Sequence, residues 1–122
     1  MEITERRAAD VVILSISGDL TMGPRGRMVL AEMVRHVLQQ GPTRIVVELA
    51  DVRYVDSSGL GELAEANAAA HTRGATLLLS GVGQRLAGLL ALTKLEDVFE
   101  FYEDHDQEAA HARAVASGGR RR

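Results

Sequence analysis

Runs of β-branched and leucine residues alternate with helix-periodic segments along most of the chain, and this alternation limits the possible folds more than any other feature. Two extended segments come first. Ile3 to Arg7 reads as a short strand, Ala8-Ala9-Asp10 as a tight connection, and Val11 to Ser17 as a β-branched strand ending at Gly18. Adjacent strands with so short a link form a hairpin. Gly18-Asp19-Leu20-Thr21-Met22-Gly23-Pro24 is punctuated by Gly and Pro and reads as a loop.

Between Gly26 and Gln40 the period lengthens. Leu30, Met33, Val34, Val37 and Leu38 form a helical stripe, and Gly41-Pro42 stops it. Arg44 to Ala50 predicts a buried strand, and Ser57 or Ser58 opens a second helix that runs to about Arg73, with Gly74 as its cap. Ala75 to Ser80 predicts the next strand, in an apolar run suited to a helix-covered sheet. A short helix from Gly83 to Leu92 buries Leu86, Leu89 and Leu90. Val98 to Tyr102 then predicts a strand and Asp106 to Ala116 a last helix. The order ββαβαβαβα indicates a single α/β domain with a mixed central sheet of about five strands and helices packed against it. The domain spans residues 1–112, and residues 113–122, polar and Gly-rich, form a flexible tail.

Composition removes several function classes. Lys and Arg number 14 against 17 Asp and Glu, for a net charge of -3. Three of the basic residues are the terminal Arg120, Arg121 and Arg122, so the body is more acidic than the total, which disfavours a phosphate backbone as partner. The chain has no cysteine, which excludes disulfide frameworks, zinc ribbons and thiol catalysis. Hydrophobic residues make up 46%, enough to build a core. The charged N-terminus does not read as a secretory signal, and the longest nearly apolar run, Leu86 to Leu92, is far short of a membrane span. A soluble cytoplasmic domain is the expectation.

The stretch most able to carry chemistry is Asp51-Val52-Arg53-Tyr54-Val55-Asp56-Ser57-Ser58-Gly59-Leu60-Gly61, where a buried strand hands over to a helix. Ser or Asp at a helix start accepts a hydrogen bond from an otherwise unpaired backbone N–H. Gly59 and Gly61 remove side chains, letting the helix start approach a strand or leaving its face open. The helix start is partly positive and favours an anion, so a phosphoryl group on Ser57 would find donors without refolding. In most proteins Asp-Ser-Ser-Gly is simply a cap, and both readings stand at this point.

Other candidates carry less. The Gly-x-Ser-x-Gly elbow of a serine hydrolase is missing. Gly81-Val82-Gly83-Gln84-Arg85-Leu86-Ala87-Gly88 lacks the ending of a phosphate loop and reads as a strand-to-helix turn. His36, His71, His105 and His111 have no ligand-like pairing, and no metal site or catalytic residue follows. The acidic run from Glu96 to Glu108 reads as a solvated face, with Asp104 and Asp106 suited to the start of the last helix.

The sequence resembles STAS domains of the anti-sigma-factor antagonist family. The resemblance covers roughly residues 1–112 and is sharpest at Val55-Asp56-Ser57-Ser58-Gly59-Leu60-Gly61, similar to the family's phosphoacceptor motif; Gly18-Asp19-Leu20 and Thr93-Lys94-Leu95 leading into Val98-Phe99 add to it. It implies an antagonist that, when unphosphorylated, binds an anti-sigma factor, a serine kinase of the histidine-kinase-like ATPase type, and frees the sigma factor. It implies Ser57 as phosphoacceptor, with Ser58 the second candidate, and a serine phosphatase that reverses the mark. Asp56, Ser58, Gly59, Leu60, Gly61, Asp19 and Thr21 would shape the partner-binding surface. The kinase would hold ATP and Mg²⁺, so the chain needs no cofactor, and a monomer or weak dimer is expected. Thr21 stands where many relatives carry Asp. The alternative is a constitutive interaction module or scaffold, for example in a signalling complex or as an accessory subunit of a transporter.

Overall fold

The computed structural model describes residues 1–102. Strands β1 (Glu2–Ala8) and β2 (Val11–Leu20) are followed by a 3-10 turn at Pro24–Gly26 and by α1 (Val29–Leu38). Then come β3 (Arg44–Val55), α2 (Ser57–Thr72), β4 (Thr76–Ser80), α3 (Gln84–Leu92) and β5 (Glu100–Tyr102). The strands form one sheet in chain order, with β1 antiparallel to β2 and every later pair parallel. The predicted α/β class and mixed sheet of five strands are therefore observed.

Parallel neighbours need crossovers, and right-handed crossovers between strands laid down in order put α1, α2 and α3 on one face. The core follows from that. Val12, Leu14, Ile16, Ile45, Val47, Leu77 and Leu79 alternate along the strands and pack beneath Leu30, Val34, Leu63, Leu86 and Leu90 of the helices. The opposite face carries a smaller cluster, Ile13, Val46, Leu78 and Tyr102. Beside it Arg6 donates to Glu48 at 2.8 Å and to Ser15 at 3.1 Å, and the Ser15 hydroxyl donates to Glu48 at 2.6 Å.

Several boundaries differ from the sequence reading, and the larger shifts have physical reasons. Gly18-Asp19-Leu20, read as loop, continues β2, because β3 runs on past Ala50 to Val55 and supplies a partner for it. The pairing crosses two register shifts, and Gly18 sits at φ +89, where a side chain would be strained. Helix α1 begins at Val29 rather than Gly26, because Arg25 and Gly26 both adopt positive φ and cannot start a right-handed helix. Strand β5 begins at Glu100 rather than Val98, whose N–H turns back to the Leu95 carbonyl. The expected last helix, the domain boundary at residue 112 and the expected tail lie outside the described residues.

Candidate functional site

The carboxyl ends of β2 and β3 meet the start of α2, and the Asp56-Ser57-Ser58-Gly59 segment sits at that junction. Asp56 has extended backbone angles and is the N-cap. Its Oδ1 accepts from the Gly59 N–H at 2.9 Å and from the Ser58 hydroxyl at 2.6 Å. The Ser58 hydroxyl and the Gly59 N–H hold the Asp56 carboxyl below its ordinary value of 3.8, the hydroxyl contributing most. The cap left open between Ser and Asp in the sequence is thus Asp56, and Ser58 buttresses it.

The two serines differ sharply. The Ser58 hydroxyl donates to Asp56 and accepts from the Met22 N–H at 3.0 Å, so it ties the β2–α1 connection to α2. Ser57, the first residue of α2, is exposed, and among the described residues its hydroxyl has no hydrogen-bond partner. The local chain makes this division: residues one position apart on a helix face different directions.

The glycines divide as well. Gly59 is buried, and a Cβ there would lie 1.9 Å from the Leu20 carbonyl oxygen, so only glycine lets the end of β2 press on the start of α2. Gly61 is exposed, with nothing within 4 Å of a notional Cβ, so it leaves an open face. Leu60 is buried in the core. Gly59 and Leu60 therefore set the shape of the junction from beneath, whereas Ser57 and Gly61 are the exposed positions. Asp19 pairs with Arg53 across the strands at 3.6 Å, and Thr21 is half-buried beside Met22.

Three features of the junction have no counterpart in the sequence reading. Met22, exposed at 40%, is joined to Ser58 through its own N–H. Tyr54 is exposed at 43%, with the Arg85 guanidinium 5.6 Å from its ring centroid. Between the end of β3 and the start of α3, Leu49, Val52, Arg53, Tyr54 and Arg85 line a shallow cleft of about 60 Å³. The third is Glu62, fully buried on α2, whose Oε1 accepts from the N–H groups of Leu30 at 2.7 Å and Ala31 at 3.2 Å. Burial raises its carboxyl, the two N–H groups oppose that, and nearby Glu32 adds to the rise. A spacing of i, i+4 from Ser58 was the one available signal, since it puts both side chains on one helix face.

Among the described residues no group of three or more His, Asp or Glu could hold a metal ion. No helix among them is long and apolar enough to cross a membrane. His36 and His71 are exposed, and His105 and His111 lie outside the described residues. Asp104 and Asp106 of the acidic run also lie outside, while Glu96, Asp97 and Glu100 are exposed.

The family profile described as "Mlab, STAS domain" matches residues 3–101. An anti-sigma-B factor antagonist of Staphylococcus epidermidis is 32% identical over 79 residues, covering 65% of this chain and 73% of that one. Among solved structures, an anti-sigma factor antagonist from Mycobacterium paratuberculosis superposes with a TM-score of 0.73 at 21% identity, covering 92% of this chain and 93% of the other. A sulfate transporter family protein from Wolinella succinogenes reaches 0.67 at 25% identity, covering 91% of each chain. The strand order, the glycine-dependent junction and these likenesses agree: the chain is a STAS domain protein of the anti-sigma-factor antagonist family.

Proposed function

We propose that this chain is a phosphorylation-controlled anti-sigma-factor antagonist with Ser57 as its switch. The observation that carries the reading is the contrast between the serines: Ser58 is held on both sides by Asp56 and Met22, whereas Ser57 is exposed at the first turn of α2. In this reading the unphosphorylated chain binds an anti-sigma factor, a serine kinase of the histidine-kinase-like ATPase type, and releases the sigma factor. The kinase transfers the γ-phosphoryl group of its ATP to the Ser57 hydroxyl oxygen, which loses its proton, and a serine phosphatase hydrolyses the ester. The chain is the substrate of both enzymes and works in the cytoplasm, where the kinase has ATP.

The switch is electrostatic. A phosphoryl group adds about -1.5 to -2 charges at neutral pH. The start of α2 tolerates them through its dipole and remaining N–H donors, so the fold survives. The partner meets this new charge beside the Asp56 carboxylate. A loss of about 3 kcal/mol at the interface weakens affinity by about a hundredfold, enough to release a partner. Exposed Met22, Gly61 and Ser57 form the contact face, and Asp19, Thr21, Asp56, Gly59 and Leu60 set its shape. The test is incubation with the cognate kinase and ATP, followed by mass spectrometry of the wild type and Ser57→Ala. The reading expects one phosphoryl group on the wild type and none on the variant; equal labelling of both overturns it.

The second reading is a constitutive interaction module, such as a transporter accessory subunit. The likeness to the Wolinella succinogenes sulfate transporter family protein favours it. Ser57→Asp separates the two: a switch loses its partner, whereas a constitutive module binds it unchanged.

A further inference from the structure

Ser58 and Glu62 stand one turn apart on the same face of α2, and both reach the connection between β2 and α1. Ser58 holds its beginning through the Met22 N–H, and Glu62 holds the first turn of α1, where the connection ends, through the N–H groups of Leu30 and Ala31. Helix α1 has no side-chain cap of its own, since Met28 occupies the N-cap position. Between these anchors the chain turns through positive φ at Arg25 and Gly26, and the Gly23 N–H closes on the Arg27 carbonyl at 2.7 Å. Met22, Arg25 and Arg27 are exposed on it. The other oxygen of Glu62, Oε2, is buried, and among the described residues it has no hydrogen-bond partner. A carboxylate oxygen in that position is costly, and a neutral carboxyl group much less so.

We propose that Glu62 is a positioning residue for the recognition face: acting through the Thr21–Met28 connection, it fixes where Met22, Arg25 and Arg27 stand relative to Ser57. The functional consequence rests on the Ser57 reading; the structural coupling does not. Charged groups around Glu62 are few. On α1 Glu32 is paired with Arg27, and Arg35 is paired with Glu65 of α2 at 3.1 Å. On the helix side β2 and β3 pack Leu14, Ile16, Leu20, Val47 and Leu49 into the core, and Arg53 of β3 is paired with Asp19. No cation therefore faces Oε2 among these groups, and ionising Glu62 favours states in which the connection lifts and water reaches that oxygen. Glu32 acts in the same direction, and burial is the larger cause.

Two variants test the coupling in the free protein. Glu62→Gln imitates the neutral acid, and Glu62→Met keeps the side-chain length without an acceptor. Amide exchange of residues 22–31 is followed against the strands at 45–49 and 77–79, with correction for intrinsic rates. In the wild type, protection of 22–31 falls by about tenfold as pH rises from below the ordinary carboxyl value of 4.5 through the raised folded value, while the strands stay protected. Glu62→Gln gives a flat, protected profile, and Glu62→Met exchanges fast at every pH. Identical profiles for wild type and Glu62→Gln, or wild-type protection in Glu62→Met, overturn the coupling. Should Glu62→Met lose strand protection as well, the comparison of wild type with Glu62→Gln decides alone.

The recognition step is read with the cognate kinase. Glu62→Met raises the KM for Ser57 phosphorylation by about tenfold with kcat within about twofold, and Glu62→Gln restores it. Equal KM values for Glu62→Met and wild type overturn the positioning role. A wild type that takes no phosphate strikes the Ser57 reading instead, and the exchange profiles then decide on Glu62 by themselves.

Discussion

The starts of α1 and α2 solve the same problem in opposite ways. Each helix leaves its first backbone N–H groups without intrahelical partners. Helix α2 supplies its own acceptor: Asp56, at the cap position, reaches the Gly59 N–H three residues on. Helix α1 has Met28 there and borrows the Glu62 carboxyl from α2. The local cap is half-buried, ionised and next to the proposed switch. The borrowed cap is buried and raised in pKa, and it makes the placement of α1 depend on α2. A change at the start of α2 can therefore be felt along the whole β2–α1 connection.

The strongest way to break this arrangement is to push α2 away from β2. Gly59→Ala sets a Cβ 1.9 Å from the Leu20 carbonyl oxygen. It should cost about 3 kcal/mol or more in urea unfolding, because backbone rather than a flexible side chain must move. Gly61→Ala, two residues on, meets nothing and should stabilise by up to about 1 kcal/mol through helix propensity. Equal effects at the two glycines would show that the junction is looser than its geometry.

The pH dependence sharpens the contrast, since the two caps respond with opposite signs. The folded value of Asp56 lies below its ordinary 3.8, so its contribution is complete above 3.8 and is lost as pH falls through the folded value. The folded value of Glu62 lies above its ordinary 4.5, so its contribution is complete below 4.5 and is lost as pH rises through the folded value. Subtracting the Glu62→Gln stability profile from that of the wild type should leave a difference that declines with rising pH. The same subtraction for Asp56→Asn should leave one that climbs below about pH 4 and then levels off. Slopes of the same sign would contradict the assignment of buried acid and ionised cap.

The smallest effects belong to the serines. Ser58→Ala removes the link between Met22 and Asp56 and should cost about 1 kcal/mol. Ser57→Ala should change stability by no more than about 0.5 kcal/mol, since the hydroxyl holds nothing among the described residues. A Ser57→Ala penalty matching that of Ser58→Ala would move Ser57 from switch to structural support.

Much of this was legible along the chain. Helix stripes and β-branched runs gave the element order and the mixed sheet because each pattern is a local record of which face is buried. The Asp56 junction was legible for the same reason, since a cap and its N–H lie three residues apart. The extension of β2 through Leu20 was not, because Gly and Asp in a strand read as turn residues until β3 is known to run alongside. Gly59 and Gly61 look alike in sequence, and only the approach of the Leu20 carbonyl separates them.

By itself, then, the sequence determined the α/β order, the strand-to-helix junction and the pair of serines on it, all set by contacts within a few residues. Tertiary structure alone decided which serine hydroxyl is engaged, which glycine is indispensable and why a glutamate lies buried in the helix layer. Those three outcomes depend on Met22, Leu20 and Leu30, each more than thirty residues from its partner, and a hydrogen bond or clash at that separation leaves no periodic trace in the chain.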